Sequence, residues 1–219
     1  MELSGPPVTT QQFSRTMQKN GKSVLVFSIQ RPAFPERGKT NRMERYFARQ
    51  AQQWQTRWET VLYPQACQAL AAAQESEQPF APWQAELNYT VTLWQAPVLS
   101  LRIEITETGP HELPLRTHIG ETWDCATGFP RTLHSFFPAK HRRWQRQVIS
   151  ALCAQAQAQI ASGESLLDPD CAQTMKRTFD PDRFYLSSQG AVVFYPMYLL
   201  GPYAEGIPAF TISLPTQIT

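Results

Sequence analysis

Residues 184–214 read FYLSSQGAVVFYPMYLLGPYAEGIPAFTISL, the most apolar and aromatic stretch of the chain and the one most densely marked by turn residues. Phe184-Tyr185-Leu186 and Ala191 to Tyr195 are β-prone runs around a polar, glycine-ended connection, Ser187 to Gly190, which predicts a hairpin. Ala191-Val192-Val193-Phe194-Tyr195 has no polar alternation, so its strand is expected to be covered on both faces. Pro196 has no N–H for a ladder and should end it. In Gly201-Pro202-Tyr203-Ala204-Glu205-Gly206-Ile207-Pro208 the two prolines fix φ and Gly206 can take angles that a Cβ forbids, which predicts a rigid loop. Phe210, Ile212 and Leu214 then alternate with Thr211 and Ser213 as a final half-buried strand.

The spacing of Tyr195, Tyr198, Pro202, Tyr203, Ala204, Gly206, Ile207, Pro208, Phe210 and Ile212 resembles the C-terminal signature of a bacterial domain of unknown function. That domain forms the extracytoplasmic part of RsiV-type anti-sigma factors and stands beside the catalytic domain of some peptidoglycan deacetylases. Upstream, Gly109, His111, Asp124, Thr127, Gly128, Leu133, Phe136 and Phe137 extend the resemblance, with departures at Pro110 and at His134-Ser135. The resemblance implies a non-catalytic binding or sensing module with a protein or glycan ligand. In the anti-sigma factors the domain recognises lysozyme outside the cell, and in the deacetylases another domain carries the chemistry.

The chain of 219 residues has length for one large or two small domains, and its 42% hydrophobic content is ordinary for a soluble protein. A net charge of +2 supports neither a nucleic-acid partner nor an anionic membrane surface. No apolar run is long enough to span a membrane, and the first twenty residues contain no signal-peptide core. A cytoplasmic protein is expected, or an extracytoplasmic one if an export segment has been removed. Cys67, Cys125, Cys153 and Cys171 are scattered without a C-x-x-C pair, which argues against zinc and for small buried hydrophobes. Neither cofactor nor metal is expected, and the oligomeric state is left open.

In chain order, residues 1–22 are polar and read as a loose arm. Residues 24–29 read as a strand stopped by Pro32 and Pro35. From Asn41 to about Ala73, Met43, Phe47, Trp54, Trp58, Val61 and Leu62 recur at helical spacing, with Asn41 and Glu44 as a capping box and a break or kink near Tyr63 caused by Pro64. Residues 83–94 and 98–106 alternate as two half-buried strands around Ala96-Pro97, with Ser100 on the polar side. Leu113, Leu115, Thr117 and Ile119 make a third strand, with Pro114 placed to disturb its register. Residues 138–162 read as a second helix with a basic first turn (Lys140, Arg142, Arg143, Arg146) and an end at Gly163. Asp168-Pro169 caps a third helix that runs to Thr178. The expectation is an α+β protein: an arm at 1–22, a helix laid on an antiparallel sheet at 23–120, and a smaller α+β sub-domain at 121–219.

Little catalytic chemistry is legible. There is no phosphate loop and no G-x-S-x-G elbow. His111-Glu112 lacks the second histidine of a zincin helix. The candidate binding residues are Tyr195, Tyr198, Tyr203, Glu205 and His111, the tyrosines because a flat apolar body with a polar tip suits a groove. The reading leans away from an enzyme. The alternative, a small hydrolase acting on cell-wall or other polymer, requires a cleft where histidine and acid side chains converge.

Overall fold

The computed structural model describes residues 8–35, 38–109, 113–138 and 143–215. It is a mixed α+β structure with a six-stranded sheet in the order β1-β2-β3-β4-β5-β6 and a three-stranded sheet in the order β7-β8-β9. The strands are β1 Thr9–Lys19, β2 Lys22–Ala33, β3 Trp83–Gln95, β4 Val98–Thr108, β5 Leu115–Asp124, β6 Phe129–Pro130, β7 Phe184–Ser187, β8 Gly190–Phe194 and β9 Ala209–Ile212. The helices are α1 Asn41–Arg57, α2 Tyr63–Glu75, α3 Trp144–Ser162 and α4 Cys171–Thr178. Packing groups the chain into two units, one of Pro7–Tyr89 with Glu104–Arg116, the other of Thr90–Ile103 with Thr117–Thr219. The division is therefore discontinuous, where the sequence reading places one boundary after residue 120.

In the first unit, residues 9–19 form a strand rather than part of a loose arm. Asn20 (φ 51°) and Gly21 (φ 77°) make the turn, and both positive angles suit the two-residue hairpin between β1 and β2. Nearly all of β1 is exposed, so backbone pairing rather than burial holds it. Strand β2 buries Val24, Leu25, Phe27 and Ile29 and runs parallel to β3 from Leu25 to Ile29. It continues through Pro32, which lies opposite Thr10 of β1 and beyond the end of the β3 pairing, so its missing N–H breaks no ladder to β3.

The long helix packs on β2, with Phe27 against Trp58 at 5.4 Å between rings and Phe34 stacked on Phe47 at 5.5 Å. Of the break or kink expected near Tyr63, the structure shows a local irregularity and no break. The helical ladder widens to a π turn over Trp58–Leu62, and Pro64 falls in the first turn of α2. Widening the ladder by one residue gives the proline ring room and rotates the following face. Val61 is consequently exposed, while Trp58, Leu62, Ala66 and Leu70 are buried. The predicted capping box is also absent. Glu44 instead accepts the Phe34 N–H at 2.7 Å and an Arg31 Nη2 donor at 2.7 Å.

In the second unit, Val98, Leu99, Ser100 and Leu101 are buried in succession, so this part of β4 is covered on both faces. Ser100 is inside, not on the polar side. Its Oγ lies 2.9 Å from Thr122 Oγ1 and accepts the Leu186 N–H at 2.8 Å, tying β4 and β5 to β7. Strand β5 starts at Leu115, after Leu113; Leu113 and Leu115 are exposed, and the buried residues of the strand are Glu121, Thr122 and Trp123 near its end. Gly120 lets β7 approach, since a Cβ there would sit 1.8 Å from Phe184 O.

Helix α3 begins at Trp144, so of the basic residues expected in its first turn Arg146 lies there, Arg143 precedes it, and Lys140 and Arg142 lie outside the described residues. It ends on Gly163 in the left-handed region. Helix α4 begins at Cys171 rather than after Asp168, whose carbonyl accepts the Cys171 N–H at 2.9 Å. Strands β7, β8 and β9 are antiparallel, and every residue of β8 is buried, as the absence of polar alternation predicts. Their side chains join Leu152, Ala156, Met175 and Leu200 in one core.

Candidate functional site

The loop between β8 and β9 carries four of the five candidate residues. Tyr195 leaves β8, its N–H donating to Pro208 O at 2.8 Å. Its ring is 1% exposed, sits edge-on to Phe210, and its hydroxyl donates to Met175 O at 3.3 Å. Burial, with the neighbouring Cys153, pushes the Tyr195 hydroxyl pKa well up. Tyr195 is therefore a core residue that anchors the start of the loop.

Pro196 opens a turn closed by the Leu199 N–H to Pro196 O bond at 3.2 Å. Within it Tyr198 has φ 66°, a backbone angle that side chains with a Cβ rarely adopt, and its ring is 56% exposed. The Tyr203 ring is half-buried beside it, with centroids 5.9 Å apart and planes tilted by 45°. Residues 203–205 make one 3-10 turn, ended by Gly206 at φ 73°.

The loop is pinned from the α3–α4 connection. The Glu205 carboxylate accepts the Leu166 N–H, and Leu200 O accepts the Asp168 N–H at 2.8 Å. Gly201 allows this contact, because a Cβ there would stand 2.8 Å from Leu166 O. Glu205 thus serves as a brace. Leu166 is 56% exposed, and Pro196, Pro202 and Ala204 of the loop are exposed as well. The structure brings Tyr198, Tyr203 and Glu205 together. His111 lies outside the described residues.

Sequence reasoning passed over two polar arrangements. Glu107 accepts both Arg57 Nε and Nη2 at 3.0 Å and the Trp58 indole N–H at 2.8 Å, beside a cavity of about 420 Å³. This bidentate pair raises the Arg57 pKa. The other is the Ser100 bridge described above. Neither leaves a motif, since the partners are far apart in sequence.

Three further cavities, of about 490, 470 and 340 Å³, lie between α3 and β9, between α3 and α4, and beside β1, β2 and α1. None of the four cavities is lined by a histidine among the described residues. His118 is edge-on to Phe194, and His134 lies against Trp144. All four cysteines are free thiols. Among the described residues no helix is long and apolar enough to cross a membrane.

Residues 137–214, which span α3, α4, the small sheet and the tyrosine loop, match the model of a family described as "Protein of unknown function (DUF3298)". No curated protein matches the sequence. Two solved structures share the fold. A DUF3298 family member from Bacteroides fragilis NCTC 9343 aligns at TM-score 0.62 and 16% identity, covering 94% of this chain and 89% of its own. A DUF3298 family protein from Pseudomonas aeruginosa PAO1 aligns at TM-score 0.60 and 16% identity, covering 95% and 91%. At that identity the likeness is one of fold.

Proposed function

We propose that this protein is a non-catalytic recognition module, related to the RsiV-type extracytoplasmic domain, that binds a protein or glycan through the Tyr198–Tyr203 surface. The observation that carries the reading is Tyr198 itself, a large ring held 56% exposed on a backbone at φ 66°. Folding tolerates a strained angle and an exposed aromatic only where the surroundings over-determine them, and such positions concentrate at ligand contacts. The prolines and the Glu205 brace hold the ring in place before any partner arrives, so little entropy is lost on binding. Tyrosine is also the side chain most used for rigid, amphipathic contact at recognition surfaces.

The test is a titration of isotopically labelled protein with soluble muropeptides, with chitooligosaccharides and with lysozyme, the protein ligand that the resemblance implies. Signals of Tyr198, Tyr203 and Leu166 should shift with one of the three, and a Tyr198→Ala/Tyr203→Ala variant should lose the response. Silence with all three, or shifts confined to other surfaces, would overturn the proposal. The hydrolase alternative gains no support from the four described cavities, which place no histidine beside a carboxylate.

A further inference from the structure

Two of the four thiols are neighbours in the same core. Cys153 lies midway along α3 and Cys171 is the first residue of α4. Cys153 Sγ donates to the backbone oxygen of Ala172, the residue next to Cys171, at 3.6 Å. Both thiols are buried, 7% and 2% exposed, yet Cys153 and Ala172 line an open groove of about 470 Å³ that a small oxidant can enter. Cys67 belongs to a separate core cluster and Cys125 to the turn after β5.

We propose that Cys153 and Cys171 form an oxidative modification site, a dithiol that hydrogen peroxide or another hydroperoxide converts into a disulfide bracing α3 to α4. The Cys153 thiolate attacks the peroxide oxygen, giving the sulfenic acid and one water. The Cys171 thiol then displaces hydroxide from that sulfur, forming the S–S bond and a second water. The two sulfurs together give up two electrons, which reduce one peroxide. The order follows from the surroundings. Burial pushes both thiols up in pKa; Lys176 opposes this at Cys153, while at Cys171 the charges of Cys153, Asp168 and Asp170 add to it and the Ala172 backbone opposes it. Cys153 lines the groove and Cys171 does not, so Cys153 is the thiol that an entering oxidant meets first.

The bridge would close the connection 154–170, whose Leu166 and Asp168 amides hold Glu205 and Leu200 of the tyrosine loop. Oxidation thus reaches a surface loop through its clamp. The site stands on the thiol geometry alone and does not depend on the recognition reading.

Peptide mapping tests it directly. Trypsin has no cleavage site between Gln147 and Lys176, so both thiols fall in one peptide. After peroxide treatment of the native protein and alkylation, that peptide should be lighter by two hydrogens and carry no alkyl group. Cys67 and Cys125 should alkylate fully. Closing a loop of this size should also raise Tm by roughly 6–10 °C, and amide exchange should slow at Leu166 and Asp168. In Cys171→Ser the reaction should stop at a dimedone-reactive sulfenic acid on Cys153. Two alkylated thiols in the treated wild-type peptide, or a bridge from either cysteine to Cys67 or Cys125, would overturn the proposal whether or not the variant folds.

Discussion

Replacing Tyr198 by alanine and, separately, by glycine isolates the backbone strain at the centre of the proposed surface. Both variants remove a ring that is 56% exposed, so the small loss of ring burial is common to the two and cancels between them. What differs is the tolerance of φ 66°. A residue with a Cβ in the left-handed region costs ~1–2 kcal/mol, which glycine avoids. Glycine in turn loses ~0.5–1 kcal/mol more conformational freedom on folding than alanine. The net expectation is that Tyr198→Gly is the more stable of the pair by about 0.5–1 kcal/mol, seen as a Tm difference of about 1–4 °C in a chain of this size. Urea denaturation, followed by tryptophan fluorescence, measures the same difference as a midpoint shift at constant slope. Partner binding should be lost equally in both, since both lack the ring. If the alanine variant is as stable as the glycine variant, or more so, the backbone at position 198 is unstrained and the argument from strain to function fails.

Three other outcomes follow from the packing. Gly120→Ala drives a Cβ to 1.8 Å from Phe184 O and 2.4 Å from its carbon, both backbone atoms, and should destabilise by about 3 kcal/mol in thermal unfolding. Ser100→Ala leaves the buried Leu186 N–H without its acceptor and Thr122 without its hydroxyl partner, which should cost ~1–3 kcal/mol in urea denaturation. For Glu44, burial pushes the pKa up, but the hydrogen bonds from Arg31 and the Phe34 N–H, with the Arg31 charge, outweigh it and the net shift is downward. A carboxyl whose folded pKa lies below its unfolded one stabilises fully above the unfolded value and loses that contribution as pH falls through the folded value. Glu44→Gln should therefore cost ~1–2 kcal/mol near neutral pH, and the difference from wild type should shrink toward acid in pH-resolved thermal melts.

The tail was the most legible part of the chain. An unbroken apolar run, a glycine-ended turn and Pro196 are local signals, and β7, β8 and β9 follow them. The same holds for the apolar stripe of α1, for Gly163 and for the alternation of Ala85 and Leu87. Strand β1 was also written locally, in Asn20-Gly21, but its polar side chains concealed it from a reading by hydrophobicity. At the candidate site, the identity of the tyrosines was legible and their roles were not. Tyr195 and Tyr198 are three residues apart and equally aromatic, yet one is 1% exposed and the other 56%.

Sequence alone determined the class of element at most positions, because propensity, period and turn chemistry act over a few residues. It also restricted φ at Pro202 and Pro208 in the loop after β8, before any contact forms. Only the tertiary structure decided which residues those elements bury and brace. Ser100 is inside because Thr122 and Leu186 come from distant parts of the chain to satisfy its hydroxyl. Glu44 leaves its own helix end because Arg31 and the Phe34 N–H lie beside it. Glu205 braces the loop because Leu166 offers an N–H across the fold. Each is a hydrogen bond between residues of different segments, and at Ser100 burial makes leaving it unformed costly.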